Sequence, residues 1–583
     1  MSSKNSATKR DFKAGALGGG LLVGSVALGQ LPYDSPESIY QPVSGVIDTA
    51  LTVGGVGGAA LLGGAIGHGV YSNSRMARRR RIFHAEGWAD RHSFADQLGR
   101  RAIRRRGQQT RPSLVNRAAR AGYKPKDTDF GQYLGKAVTG FRPARGSKVY
   151  ADFEKSLLIV APPGAGKTAL ALHPMMDAPG SILVTSTKPD VYTLTSEIRG
   201  QYGPVLLFNP QGVGGIPGNF GWDPLIGCQH YQVATDRASA LVKGTKAITA
   251  MQEASWGEKC IEIVSKYLMA ARLKGYDLRA VQYWLAHPDD ETAVRILHEF
   301  PAYVPDGWAS ALEAEMRSSA DRMKGSIWSL ARASVAFMSN PVVAAACTAG
   351  AGESFNVRSF AESRGALYLL GDKSDETIAP LLSALTDYVY RDVKALAQSK
   401  ASERLDPPFG FFLDEVTKIT PVPLADWAAD ARAHGMYITA ITQSFAQIEE
   451  RWGKEGLAAL KTLFSKVIMG GIQNLNDLEE LSKLVGYREV DAISEGETAS
   501  ASGLSKSRNR SKRKELILPP EEIRMLPEGH ALVLLNQSKA VVVKFKKGQI
   551  RAQKELAKVR AAAKKAPVPT RADQREPVAE EVA

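Results

Sequence analysis

The chain has 583 residues, enough for two or more domains and a sizeable core. Its formal net charge is +15, but the excess sits between Arg75 and Lys148, where 20 Lys/Arg face 5 Asp/Glu; the balanced remainder excludes a globally basic fold. Cys228, Cys260 and Cys347 are scattered, which excludes a paired disulfide framework or a cysteine metal centre and fits buried thiols in a reducing compartment.

Met1 to Lys13 is short, polar and basic. Ala14 to Leu31 is uncharged and about long enough to cross a bilayer. A polar connector, Pro32 to Ser44, leads to a second apolar segment, Val46 to Tyr71, interrupted only by Asp48 and His68. Lys and Arg lie outside both segments and none lies in the connector. The positive-inside rule then makes residues 1–74 a two-span anchor of an inner or plasma membrane, with both termini cytoplasmic. Two other readings compete: a cleaved signal peptide followed by one span, or a pair of Gly/Ala-rich soluble helices. Residues 75–130 are a basic juxtamembrane segment, with clusters at Arg78 to Arg81, Arg100–Arg101 and Arg104 to Arg106. It serves as a topology signal and attracts anionic lipid, nucleic-acid phosphate being the alternative contact.

Leu157 to Thr168 reads LLIVAPPGAGKT. An apolar strand, a Pro/Gly turn, Gly-Lys-Thr and a helix make a phosphate-binding loop of Ala161, Pro162, Pro163, Gly164, Ala165, Gly166, Lys167 and Thr168, with Ala161 where the strict pattern has Gly. Glycines let backbone N–H groups curl around polyphosphate, and the helix aims its positive end at the same charge. Lys167 reaches the β- and γ-phosphates of ATP, and Thr168 ligates Mg²⁺. Ser181 to Ser186 and Val205 to Asn209 are further strands, and their alternation with helix predicts a parallel sheet over residues 131–228 and 341–550.

Between 229 and 340 the strand pattern vanishes and helical periodicity takes over, predicting an inserted all-α domain. Trp256, Trp284, Trp308 and Trp328 are expected as its packing anchors. Strands return at Gly365 to Leu370 and at Phe409 to Leu413, the latter ending in Asp414-Glu415. An apolar strand followed by two acids is a Walker B arrangement: Asp414 is expected to hold Mg²⁺ through water and Glu415 to polarise the attacking water. Tyr437 to Thr442 is the next strand, and Gln443 at its end can sense a γ-phosphate. Arg432 is either an arginine finger supplied to a neighbouring subunit or a plain surface arginine. Glu495 to Lys514 reads as a flexible loop, Leu516 to Lys547 as an edge hairpin, and 551–583 as a frayed helix and disordered tail.

Taken together, these stretches resemble the type IV secretion coupling proteins, the VirD/TraG/TraD family of conjugation ATPases. The resemblance runs from about Gly131 to Leu535 and is carried by LLIVAPPGAGKT, SILVTSTKPDVYTLTSEI, VLLFNPQG with WDPL, FFLDEVTKI, ARAHGMYITAITQSFAQIEERWG and LPPEEIRMLPEGHALVL. It implies an α/β fold: a RecA-like P-loop ATPase domain with an inserted all-α domain, preceded by two transmembrane helices. It also implies a homo-hexameric ring at the membrane that couples single-stranded DNA, with its relaxase and relaxosome proteins, to the secretion channel. On the same grounds Arg432 is the arginine finger and Gln443 the family's glutamine. Two departures stand out. Ser186 sits where many members carry Asp, and the connector is too short for an extracytoplasmic contact domain. The alternatives are a double-stranded DNA translocase of the chromosome-partitioning type and a substrate-receptor scaffold with little ATPase activity.

Overall fold

Among the described residues the chain forms β1 (Gly131–Ala137), β2 (Lys148–Asp152), β3 (Leu157–Val160), β4 (Ile182–Ser186), β5 (Val205–Phe208), β6 (Ala366–Leu370), β7 (Phe409–Leu413), β8 (Met436–Thr442), β9 (Ser465–Met469), β10 (Tyr487–Ser500), β11 (Gly503–Leu516), β12 (His530–Leu534) and β13 (Val541–Lys544). Eleven make one sheet in the order β2-β1-β13-β12-β9-β3-β8-β7-β4-β6-β5. From β9 to β5 every pairing is parallel, whereas β12, β13, β1 and β2 extend the sheet antiparallel. This computed structural model describes residues 75–121, 124–140, 144–250, 254–317, 321–348, 350, 355–500 and 503–565. The chain divides into two units, Met1–Arg81 and Ile82–Ala583. Of the first, only 75–81 is described, opening the helix Arg75–His84.

The parallel strands are legible as unbroken apolar runs because both faces are covered. Along β3, Leu158 and Val160 enter the core on one face while Leu157 and Ile159 enter the core on the other. Each such side chain contributes roughly 1.5–3 kcal/mol by leaving water. β1 escapes a sequence reading because Gly131 and Gly135 interrupt its apolar pattern, and β2 because its short apolar stretch is bounded by Lys148 and Asp152. The hairpin of β12 and β13 is therefore internal, between β9 and β1; β2 is the edge, which corrects the expectation of an edge hairpin.

Eight helices between Tyr231 and Glu362 form the inserted domain, and among the described residues no strand falls between Phe208 and Ala366. Tyr267 packs on Trp284 and Trp328 at 5.8 and 6.0 Å between ring centroids, so these tryptophans anchor packing as expected. The helical stretch runs past the expected end at 340, through Pro341–Ala346 and Val357–Glu362.

Two further expectations need correction. The stretch read as a flexible loop lies in the β10–β11 ribbon, whose register sets Glu489 opposite Lys514 and Asp491 opposite Lys512. Opposite charges in cross-strand register favour pairing by about 0.2–1 kcal/mol each. Residues 551–565, read as a frayed helix leading into a disordered tail, are helical but packed, as part of the helix Gly548–Lys565. Ala552 and Leu556 are buried in the core behind the P-loop helix, Arg551 grips Asp177 at 2.7 and 2.5 Å, and Arg560 meets Glu197 at 2.6 Å.

Part of the basic block is consumed in folding. Arg106 pairs with Asp152 on β2, Arg111 with Asp406 at 2.6 Å, and both Arg100 and Arg104 with Asp127 at 2.8 Å. The apolar segments 14–31 and 46–71 lie outside the described residues. Among those described, no helix is long and apolar enough to cross a membrane.

Arg199, 1% exposed, ends the helix Asp190–Arg199 and ties three chain segments together. Its guanidinium donates to the carbonyls of Ala178 (2.7 Å), Gly180 (2.7 Å) and Arg364 (2.8 Å). Replacement by Met leaves these acceptors dry and unpaired; Arg199→Met is expected to cost about 3 kcal/mol or more, read as a lowered denaturant midpoint.

Candidate functional site

The site is built on the ends of β3, β7 and β8, adjacent strands whose C-terminal edges face the same way. β3 continues its ladder one residue beyond its end, where Ala161 N–H donates to Thr442 O at 3.0 Å. The chain then turns sharply, with Ala165 N–H donating to Pro162 O at 3.1 Å. Gly164 and Gly166 sit at φ +80° and +93°. Nothing lies within 4 Å of a Cβ built on Gly164, so what the loop demands there is the left-handed backbone rather than space. Gly166 precedes the helix Lys167–Asp177 and no side chain caps that N-terminus. An uncapped N-terminus at the mouth of a glycine loop is an anion site, since its first N–H groups have no intrahelical acceptor.

Lys167 opens the helix and Thr168 follows it. The Lys167 ammonium donates to Glu415 Oε1 at 2.8 Å and stands 3.6 Å from Asp414 Oδ1. Gln443, after β8, donates its amide to the same Glu415 oxygen at 3.1 Å. Lys167, Asp414, Glu415 and Gln443 are thus brought into one cleft. Asp414 and Glu415 are nearly buried, at 6% and 7% exposure, and the Glu415 N–H donates to Asp414 Oδ1 at 3.1 Å. Glu415 adopts φ 47°, ψ 44°, a left-handed conformation costing a non-glycine residue on the order of 1–3 kcal/mol. Burial pushes the Asp414 carboxyl above its usual range, against the pull of Lys167. Burial also opposes ionisation of Glu415, but the hydrogen bond and charge of Lys167, with the Gln443 amide, outweigh it and hold that carboxyl below the usual range.

Arg432 is not in this cleft. It follows the helix Leu424–Ala431 and precedes β8, at the opposite end of that strand from Gln443. Its side chain is 69% exposed and lies 3.5 Å from Glu154 Oε2. Ser186, at the end of β4, accepts a hydrogen bond from Lys188 N–H at 3.2 Å. All three cysteines are buried, and burial raises each thiol. Among the described residues no group of His, Cys, Asp and Glu side chains is arranged to hold a metal by itself.

One residue of the site escapes a sequence reading. Gln447 sits behind Gln443, its Oε1 accepting from Thr442 Oγ1 at 3.0 Å and from Gln443 N–H at 3.2 Å. The signal for it is Ser444-x-x-Gln447, a capping-box spacing.

A parallel sheet with a glycine loop, an uncapped helix and paired acids at one edge is the P-loop NTPase fold. The plasmid coupling protein TrwB, solved in complex with a non-hydrolysable ATP analogue, superposes with a TM-score of 0.50 at 18% identity, over 75% of this chain and 93% of that one. Unbound TrwB lacking its N-terminal region gives 0.47 at 18% identity (75% and 92%), and VirB4 of Thermoanaerobacter pseudethanolicus gives 0.40 at 14% (71% and 96%). No curated protein matches the sequence significantly. The family model for type IV secretory system conjugative DNA transfer matches residues 113–565, and the chain belongs to that family.

Proposed function

We propose that this protein is a membrane-anchored ATPase that couples a single-stranded DNA–relaxase substrate to a type IV secretion channel and drives its transfer by ATP hydrolysis. The observation that carries the reading is the convergence of Lys167, Asp414, Glu415 and Gln443 on one cleft beside an uncapped helix N-terminus. It does so in a chain of the conjugative DNA transfer family.

The residues present fit ATP with Mg²⁺. The positive-φ loop Ala161 to Thr168 offers backbone N–H groups to the phosphates. Lys167, held between two carboxylates, has the reach to exchange Glu415 for phosphate oxygens. Thr168 and the buried Asp414 would hold Mg²⁺, which would neutralise phosphate charge. Glu415, kept ionised by Lys167 and Gln443, orients and polarises a water for in-line attack. Gln443 reports occupancy of the cleft through its bond to Glu415. Arg432 completes a neighbouring protomer's site, which requires a ring; we take it as a homo-hexamer. Segments 14–31 and 46–71 supply the anchor, with both termini cytoplasmic.

The test is phosphate release by the purified full-length chain, with and without DNA. Turnover that rises with single-stranded DNA, together with loss of plasmid transfer from donors carrying Lys167→Ala, is expected. Stimulation by duplex DNA alone would identify a double-strand translocase. No turnover under either condition would leave a receptor scaffold.

A further inference from the structure

Gln443 acts only if its amide is aimed at Glu415, and the chain around it is held from behind by one side chain. Thr442 is fully buried at the end of β8. Its hydroxyl and the Gln443 N–H converge on Gln447 Oε1, at 3.0 and 3.2 Å. Gln447 lies in the first turn of the helix Phe445–Leu463, where its own N–H donates to the Ser444 hydroxyl at 3.3 Å. In an ordinary capping box the glutamine reaches back to the N-cap N–H. Here it reaches one residue further, to the residue that touches Glu415.

One turn along the same helix, Arg451 leaves the nucleotide domain. Its guanidinium donates to Thr245 O at 2.7 Å and to Lys243 O. Those carbonyls end the helix Tyr231–Gly244, the first of the all-helical domain. A cation on the last carbonyls of a helix is favoured by the helix dipole, so this attachment is specific to that end. A small cleft at the seam is lined by Gly244, Lys246, Thr417, Gln447 and Arg451, so the turn two residues past Glu415 meets the same part of the helical domain. The Thr417 hydroxyl is buried there without a partner.

We propose that Gln447 is a positioning residue for hydrolysis, acting through Gln443 on Glu415, and that Arg451 ties this positioning to the all-helical domain. The proposal rests on the ATPase reading above. A conformational shift of the helical domain moves Arg451, and the helix carries it one turn to Gln447 and the end of β8.

The experiment is steady-state ATP hydrolysis by the full-length chain, with thermal melting measured alongside. Gln447→Met keeps the side-chain length and removes the acceptor. It is expected to lower kcat about 10- to 100-fold, as misplacement of a catalytic group does, with KM unchanged and only a small fall in melting temperature, since the Thr442 hydroxyl keeps Ser444 O as an acceptor at 3.3 Å. Gln447→Glu keeps an acceptor oxygen and restores most of the rate. Arg451→Lys, which reaches one carbonyl rather than two, lowers kcat in the same sense by a smaller factor. A role as a helix cap alone shows instead as a lowered melting temperature with kcat within about twofold of the parent, and that result overturns the proposal. So does a loss in Gln447→Met that Gln447→Glu fails to restore. No turnover in the unmodified chain overturns the ATPase reading and the proposal together; turnover there, with Gln447→Met unaffected, overturns the proposal alone.

Discussion

Glu415→Gln stops turnover while nucleotide stays bound. The substitution is isosteric, and an amide oxygen still accepts from Lys167 and Gln443, which now meet at Glu415 Oε1 at 2.8 and 3.1 Å. What disappears is the negative charge that polarises water. General-base assistance is worth about 10²–10⁴-fold, and kcat should fall by that factor. Affinity moves the other way. Lys167 donates to a carboxylate with which phosphate competes, and a neutral partner yields more easily. Equilibrium titration with a fluorescent ATP analogue should therefore give equal or tighter binding in Glu415→Gln. Lys167→Ala provides the contrast, losing binding and turnover together. If kcat in Glu415→Gln stays within about tenfold of the parent, the water is polarised by another group.

How much of this was legible depends on where the physical signal lies. β3, β4, β7 and β8 are buried on both faces, so each appears in sequence as a short apolar run, and the glycine loop after β3 and the acids after β7 mark the cleft. The all-helical insert is legible for the complementary reason: long periodic stretches meeting around Tyr267. The β10–β11 ribbon is not legible locally. Its residues are those of a solvated loop, and only the register shows the acids of one strand opposite the cations of the other. The helix Gly548–Lys565 carries its signal thinly, in Ala552, Leu556 and Val559 among many charges, and the P-loop helix it packs against is nearly four hundred residues away in sequence. Gln447 reads as half of a helix cap, and its second function depends on where β8 ends in space.

Arg432→Ala should leave the fold intact and still lower kcat steeply, by about 10³–10⁵-fold if the guanidinium stabilises a transferring phosphoryl group. The residue has no route to its own cleft. β8 separates it from Gln443, a span of roughly 20 Å at the rise of a strand. Its contact with Glu154 is exposed on the arginine side, and such pairs contribute only about 0–1 kcal/mol, so the guanidinium can leave for a better anion. In the proposed ring, the anion it would meet is on another protomer. Mixing separates this from a structural role. Arg432→Ala and Lys167→Ala chains are each expected to be inactive alone. Coassembled, they create some sites with Lys167 from the first chain and Arg432 from the second, and those sites are complete. Recovery of ATP hydrolysis on mixing is the expected result. If both mutants are inactive and stay so in verified mixed assemblies, Arg432 serves its own protomer or none, and the shared site between neighbours has to be abandoned.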